Sequence, residues 1–221
     1  MNGIAKIIMA FLISNLIFVT EVKAQEIGLG DSRWIRIDLW ERKLYLMEKS
    51  RIRESFLVGI GKEKYPTPIG TWKVTNKSRD WGGGFGTRWI GLNVPWGIYG
   101  IHGTNRPGSI GFHASHGCIR MLNHEVAQLY KRVYPGMKVQ IDGPIFGQES
   151  WSLKTLVQGD RGTLVMLVQN RLQAAGYYKG TIDGVFDVSL EKALKQFQQD
   201  YKLEVTGQVK TAEYLQLGLF E

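Results

Sequence analysis

Cysteine is almost absent from this chain. Cys118 is alone among 221 residues, so no disulfide can form within the chain. Histidine occurs four times and proline six. There is no dense Lys/Arg tract, helix-turn-helix or RNA-binding signature, which argues against nucleic acid as a partner despite a net charge of +8. No Gly-Lys-Ser/Thr follows the glycine-rich stretch, so it is not a phosphate loop. Beyond the first two dozen residues, no stretch is apolar enough to span a bilayer.

The one long apolar run opens the chain. Lys6 precedes Ile7–Val19, broken only by Ser14 and Asn15, and Val22-Lys23-Ala24 follows. This is the layout of a secretory signal peptide over residues 1–24, cut after Ala24. The run is shorter than the roughly 20 residues of a spanning helix. An uncleaved signal anchor shares these flanks and is the one membrane attachment left open. Lys6 and Lys23 against Glu21 carry +1, which leaves +7 on the exported part. A basic exported protein suits a polyanionic partner such as a cell wall or membrane surface, with solubility alone as the plainer alternative. Exported proteins use cysteines mostly in pairs. A lone one points to an intermolecular bridge or a reactive thiol, or else to a small buried hydrophobe.

The first half reads as strands. In "RWIRIDLW" Ile35, Ile37 and Leu39 fall on one face and Trp34, Arg36 and Asp38 on the other. "LYLMEK", "SFLVGIG", "TPIGTWKVTNK", "GIYGIHG" and "MKVQIDG" extend the pattern between polar turns, as antiparallel hairpins do. One helix stands among them, "NHEVAQLYKRVY", with Val126, Leu129, Tyr130 and Val133 at helical spacing and Asn123 as its N-cap. Many short strands with one or two helices predict a β-sandwich or barrel over residues 25–143. "SRDWGGGFGTRWIGLN" reads as a binding loop or lid. Residues 144–161 read as a linker without period. Residues 162–221 change character to three short helices. Leu164, Val168, Leu172 and Ala175 mark the first, closed by Gly176. Leu190, Leu194, Phe197 and Tyr201 mark the second, capped by Asp187 or Ser189. "DGVF" and "TGQV" look like degenerate copies of one turn. This small all-α domain lacks cysteine, paired carboxylates and a His cluster, so binding suits it better than catalysis.

Chemistry concentrates in "HASHGCIRML". A free thiol is mostly protonated at neutral pH and needs activation. A histidine taking its proton, the charge of Arg120 and the positive end of the following helix all serve that end. His102, His113, His116 and His124 are the candidate bases. Glycines at 100, 103, 111 and 117 let backbone amides approach a substrate, and a Gly-Cys turn presents N–H groups to an oxyanion. Zinc on His113, His116, Cys118 and His124 is the competing arrangement, but the spacing matches no ordinary finger.

"IHGTNRPGSIGFHASHGCIRM" resembles the signature of L,D-transpeptidase catalytic domains: His102-Gly103, a spacer, then Ser115-His116-Gly117-Cys118-Ile119-Arg120. "TPIG" at Thr67–Gly70 and "GTRWIGLN" resemble further family segments, and the likeness runs from about Trp34 to Gly143. The tail resembles the three-helix peptidoglycan-binding domain often attached to wall enzymes. The resemblance implies an L,D-transpeptidase-like β-sandwich, mainly β, with a small all-α domain behind it. It makes Cys118 the nucleophile and His102 the proton donor and acceptor, oriented by a carbonyl near Gly103. The backbone of His116, Gly117 and Cys118 forms the oxyanion hole, and Ser115 and Arg120 hold the turn. His113 and His124 match no motif position and are structural.

The implied reaction is acyl transfer without metal or organic cofactor. The thiolate attacks a tetrapeptide stem of peptidoglycan, D-alanine leaves, and an amine of a second stem takes the acyl group as a 3→3 cross-link. Acylation by carbapenem-type β-lactams follows from the same thioester chemistry. A water acceptor makes the site an L,D-carboxypeptidase. A non-catalytic wall-binding protein and a cysteine hydrolase of other peptides are the remaining alternatives. The partners are stem peptides and glycan, the location the cell wall outside the cytoplasm.

Overall fold

Alternation of apolar and polar residues sets the strands, and the first shows how. The computed structural model describes residues 32–79, 81–144 and 154–219. The signal segment at 1–24 and residues 145–153 of the linker lie outside them. Strand β1 (Arg33–Asp38) buries Ile35 and Ile37 completely, with Leu39 just beyond it. Asp38, on the alternate face, is buried too. It accepts from Arg36 at 3.0 Å and from the Glu41 amide at 3.0 Å, so its charge is paired and it shapes the turn. β2 (Lys43–Glu48) and β3 (Arg51–Leu57) complete an antiparallel meander.

The remaining strands are β4 (Ile60–Gly61), β5 (Gly70–Arg79), β6 (Arg88–Leu92), β7 (Tyr99–His102), β8 (His113–Ser115), β9 (Ile119–Arg120) and β10 (Lys138–Asp142). Eight of them form one sheet in the order β3-β2-β1-β10-β5-β6-β7-β9, and β4 pairs with β8 beside it. Gly59, just past β3, exchanges both backbone hydrogen bonds with Arg120 of β9, at 2.9 and 2.8 Å. The two ends of the sheet therefore meet, and the sheet curls around its own apolar face. Ile37, Leu44, Ile90, Ile101, Ile119 and Val139 are buried there. Helix α1 (Asn123–Tyr130) adds Val126 and Leu129 to this core.

Sequence reading and structure differ in places. The two ends of the glycine-rich stretch belong to the paired strands β5 and β6, and residues 81–87 between them form the loop, with a 3-10 turn over Gly83–Phe85. Leu122, not Asn123, is the N-cap of α1. The Asn123 side chain accepts from the Thr87 amide at 3.1 Å instead, a partner 36 residues away. Strands β8 and β9 went unread because two or three residues do not establish a period, and β6 because four of its five residues are buried and show no alternation.

A second core belongs to helices α2 (Thr163–Ala174), α3 (Val188–Asp200) and α4 (Thr211–Gln216). Gly176 ends α2 with φ +85°, and the Asp187 carboxylate caps α3 through the Leu190 amide at 2.9 Å. Val165 is buried on α2 while Ala175, just past its end, is exposed; Gln198 is buried on α3 while Tyr201, just past its end, is exposed. Helix ends fray away from a small core, so the last apolar residue of each run falls outside it. Leu156, within the segment read as linker, is buried in this core and bridges Val209. A single bridging residue leaves no pattern in the sequence.

The two similar turns are real structural copies. Gln169 and Gln198 are wholly buried. Gln169 accepts from the Gly184 amide at 2.7 Å and donates to the Val185 carbonyl. Gln198 accepts from the Gly207 amide at 2.9 Å and donates to the Gln208 carbonyl. Each helix thus ties down one turn by a glutamine that replaces water for two backbone groups. Gln198→Ala should lower the stability of the helical part by about 2–3 kcal/mol, because it leaves buried donors and acceptors unpaired. Urea unfolding followed by far-UV CD reads this; a loss under about 0.5 kcal/mol would mean that water substitutes for the amide.

Candidate active site

Cys118 lies one residue before β9, which runs parallel to β7 with Ile101 opposite Ile119 and His102 opposite Arg120. This pairing brings together the two segments that hold Cys118 and His102, although among the described residues no hydrogen bond joins their side chains. The turn before β9 is built by Ser115, itself buried. Its hydroxyl accepts from the Gly117 amide at 3.0 Å and donates to the Cys118 carbonyl at 2.6 Å. Gly117 has φ +104°, and a Cβ there would stand 2.6 Å from the Tyr99 ring, so both conformation and space call for glycine. The Gly117 amide, expected to line an oxyanion hole, is therefore engaged within the turn.

The Cys118 thiol faces the Ile98 carbonyl at 3.9 Å. Burial pushes its pKa up, opposed by the Gly100 N–H and by the Arg120 charge, both of which favour thiolate. The resting group is thus a thiol at neutral pH. His102 is buried, its ring stacked on Trp89 at 5.8 Å and met edge-on by Phe85 at 4.9 Å. Burial pushes its pKa down to about 4, which outweighs the carbonyls of Gly103 and Phe85 that favour the cation. The Nδ1–H donates to the Gly103 carbonyl at 2.5 Å. A carbonyl only accepts, so the neutral ring carries its proton on Nδ1 and leaves Nε2 as a base.

This depressed value has a consequence for stability. The folded ring loses its proton at lower pH than an unfolded one near 6.5, so unfolding takes up a proton between about 4 and 6.5. Stability from this group is full above 6.5 and declines as pH falls to 4, by about 3 kcal/mol in all. His102→Gln should remove that part of the acid destabilisation. Urea midpoints measured from pH 7 to 4 check it, and parallel curves for both proteins would overturn it.

Other residues fall into place around this pair. Arg120 bonds Gly59 through its backbone, while its buried Nε has no partner. His116 is exposed, its ring 4.6 Å from that of Tyr65. His113 reaches the Gly61 carbonyl at 3.2 Å, and His124 is exposed on α1. Among the described residues no three His, Cys, Asp or Glu side chains gather as metal ligands. Gly103 donates to the Arg88 carbonyl, and the Asn123 amide oxygen lies so close to both Gly103 and Gly86 that neither admits a Cβ. Asn123 thereby ties the loop that carries Phe85 to the strand that carries His102. Tyr99, Phe85 and Trp89 escaped the sequence reading as site residues, whereas Gly100, read there as a glycine that lets an amide approach the substrate, has its N–H on the Cys118 thiol. "GIYGIHG" placed Tyr99 near His102 and "GTRWIGLN" contained Trp89, but an aromatic ring in a strand reads as core until the fold shows which ring it faces.

Comparison with known families follows the same division. The family model described as the L,D-transpeptidase catalytic domain matches residues 32–141, and that of a "Putative peptidoglycan binding domain" matches residues 161–212. The "Putative L,D-transpeptidase YkuD" of Bacillus licheniformis is 40% identical over 107 residues, 48% of this chain and 64% of that protein. Its namesake in Bacillus subtilis is 38% identical over 108 residues, 49% and 65% of the two chains. The "Putative L,D-transpeptidase YqjB" of Bacillus subtilis is 36% identical over 114 residues, 45% and 65%. The matched region spans just under two thirds of these relatives. The two matches follow one another along the chain, an L,D-transpeptidase catalytic domain over residues 32–141 and a peptidoglycan-binding domain over residues 161–212, in the order that the resemblance implied.

Proposed function

We propose that the protein is an exported acyltransferase that cross-links peptidoglycan through a Cys118 thioester. The observation that carries this reading is the pairing of β7 with β9. It sets a thiol beside the Gly100 N–H, on the strand next to a neutral imidazole whose Nδ1–H is held by Gly103. His102 Nε2 takes the thiol proton as sulfur attacks the carbonyl of the third stem residue. The amide C–N bond breaks, the same proton passes to the leaving amine, and D-alanine departs. A second-stem amine then attacks the thioester, loses its proton to His102, and sulfur regains it. With the Gly117 amide engaged, the Cys118 and His116 amides serve the oxyanion, and Arg120 favours the thiolate. The helical domain holds the enzyme to the wall, and the N-terminal segment exports the chain.

The test is mass spectrometry of the chain from Gln25 onward incubated with disaccharide-tetrapeptide. Loss of D-alanine with dimer formation supports the transpeptidase. Loss of D-alanine without dimer makes water the acceptor and the protein a carboxypeptidase. Intact substrate beside a folded protein with a titratable thiol leaves wall binding as the function.

A further inference from the structure

Cys118 is partnered by a turn whose other side is held by the helical domain. The β6–β7 connection, residues 93–98, passes between the two. On one side Trp96 packs edge-on against Trp72, with ring centroids 5.3 Å apart, at the margin of the sheet core. Gly184, in the turn between α2 and α3, lies on the Trp96 indole: a Cβ there would stand 2.6 Å from two ring carbons. The buried Gln169 fixes Gly184 by accepting its N–H at 2.7 Å. Met166 of α2 also packs against the sheet core, 3.5 Å from where a Cβ of Gly70 would be. Both parts lie in one unit of the chain that starts at Ser32.

On the other side of the same connection, two residues after Trp96, the Ile98 carbonyl is 3.9 Å from Cys118 Sγ. The next residue, Tyr99, covers Gly117. The Ile98 side chain is 81% exposed, so it does not anchor the turn itself. Trp96 is the nearest anchor before it.

We propose that Trp96 is a positioning residue for the nucleophile and that the helical domain, seated on Trp96 through Gly184, holds it in place. The peptidoglycan-binding domain is then part of the catalytic apparatus as well as a tether. Undocking it frees the 93–98 turn, lets water reach the thiol, and takes Tyr99 off the Gly117 turn. Thiol reactivity rises while acyl transfer, which needs one fixed geometry, falls. The inference leans on the proposed transpeptidase reaction only for its activity readout, since alkylation of Cys118 is independent of substrate.

The experiment uses the chain from Gln25 onward with Gly184→Asn, Trp96→Ala and the double variant. Asparagine tolerates the left-handed conformation of Gly184 (φ +71°), so the α2–α3 turn persists while its side chain displaces the indole. Because Cys118 is the one cysteine, iodoacetamide reports on it alone. Gly184→Asn is expected to speed alkylation at pH 8 and to lower kcat for D-alanine release, each about five-fold, with KM little changed. Trp96→Ala is expected to do the same, and the double variant to match the single ones, because both act through one contact. Near-UV CD and the thermal midpoint establish that each variant is folded. If Gly184→Asn does not fold, Met166→Gln tests the same seat, with the same expectation. Wild-type alkylation and kcat in a folded Gly184→Asn or Met166→Gln, or additive effects in the double variant, overturn the proposal. If wild type itself releases no D-alanine, the transpeptidase reading fails, and the alkylation rates still decide this one.

Discussion

Cys118→Ala is expected to abolish D-alanine release from tetrapeptide stems, with kcat lowered by more than about 10⁴-fold. The same variant should fold like wild type. The Ser115 hydroxyl bonds the Cys118 carbonyl and the Gly117 amide, not the thiol, so the turn outlives the side chain. Among the described residues the thiol itself meets only backbone groups, the Ile98 carbonyl at 3.9 Å and the Gly100 N–H. Binding to insoluble peptidoglycan should survive as well, because the helical domain carries a separate core. The pair of measurements separates catalysis from tethering. Retained D-alanine release in the variant would place the nucleophile elsewhere and remove the basis of the mechanism; lost wall binding would put Cys118 in the binding surface.

His102→Gln carries the second large effect, a fall in kcat/KM of about 10²–10⁴-fold, the range for loss of a general base. Its pH dependence is more telling than its size. In wild type the imidazole becomes a base above about 4, because burial against Trp89 and Phe85 opposes the cation. The acid limb of kcat/KM therefore lies near 4 and not near the ordinary histidine value of about 6.5. Below that limb the ring holds its proton and cannot take one from the thiol, so the rate falls with falling pH. Above it the rate is level until the thiol ionises unaided at the raised value that burial imposes. In His102→Gln the level region should disappear. The rate then tracks thiolate alone and rises about ten-fold per pH unit toward the thiol's pKa. A rate profile for the variant that keeps the wild-type acid limb would assign the base to another residue, and exposed His116 is then the first to test.

Much of this protein is legible along the chain, for definite reasons. The alternation in "RWIRIDLW" and "MKVQIDG" is a local consequence of side chains pointing to opposite faces, and β1 and β10 pair in parallel with Ile37 opposite Ile141. The helices of the tail carry their own caps, so Asp187 and Gly176 mark ends without any knowledge of the fold. A lone cysteine near several histidines suggests a nucleophile from residue type alone, and the Ser-His-Gly-Cys turn carries the family resemblance.

What escaped has a common cause. Asn123 opens the helical run, so its residue type and place suggest a cap, yet it is already the first helical residue and its side-chain oxygen accepts from the Thr87 amide. Tyr201 and Ala175 continue helical periods past the limit of a core that only the packed helices define. Leu156 enters that core through a single bridge to Val209.

The amino-acid sequence by itself determined most strand and helix types, the change from a β part to a helical part, and which residue types carry the proposed chemistry. Each depends on residue type, spacing or neighbours within a few positions. Tertiary structure alone decided the protonation of those groups and what holds them. The Cys118 thiol is raised by burial and steadied by Gly100 and Ile98, and the His102 ring is held neutral between Trp89 and Phe85. Electrostatics and desolvation act through space, so the residues that set them lie up to 20 positions away along the chain.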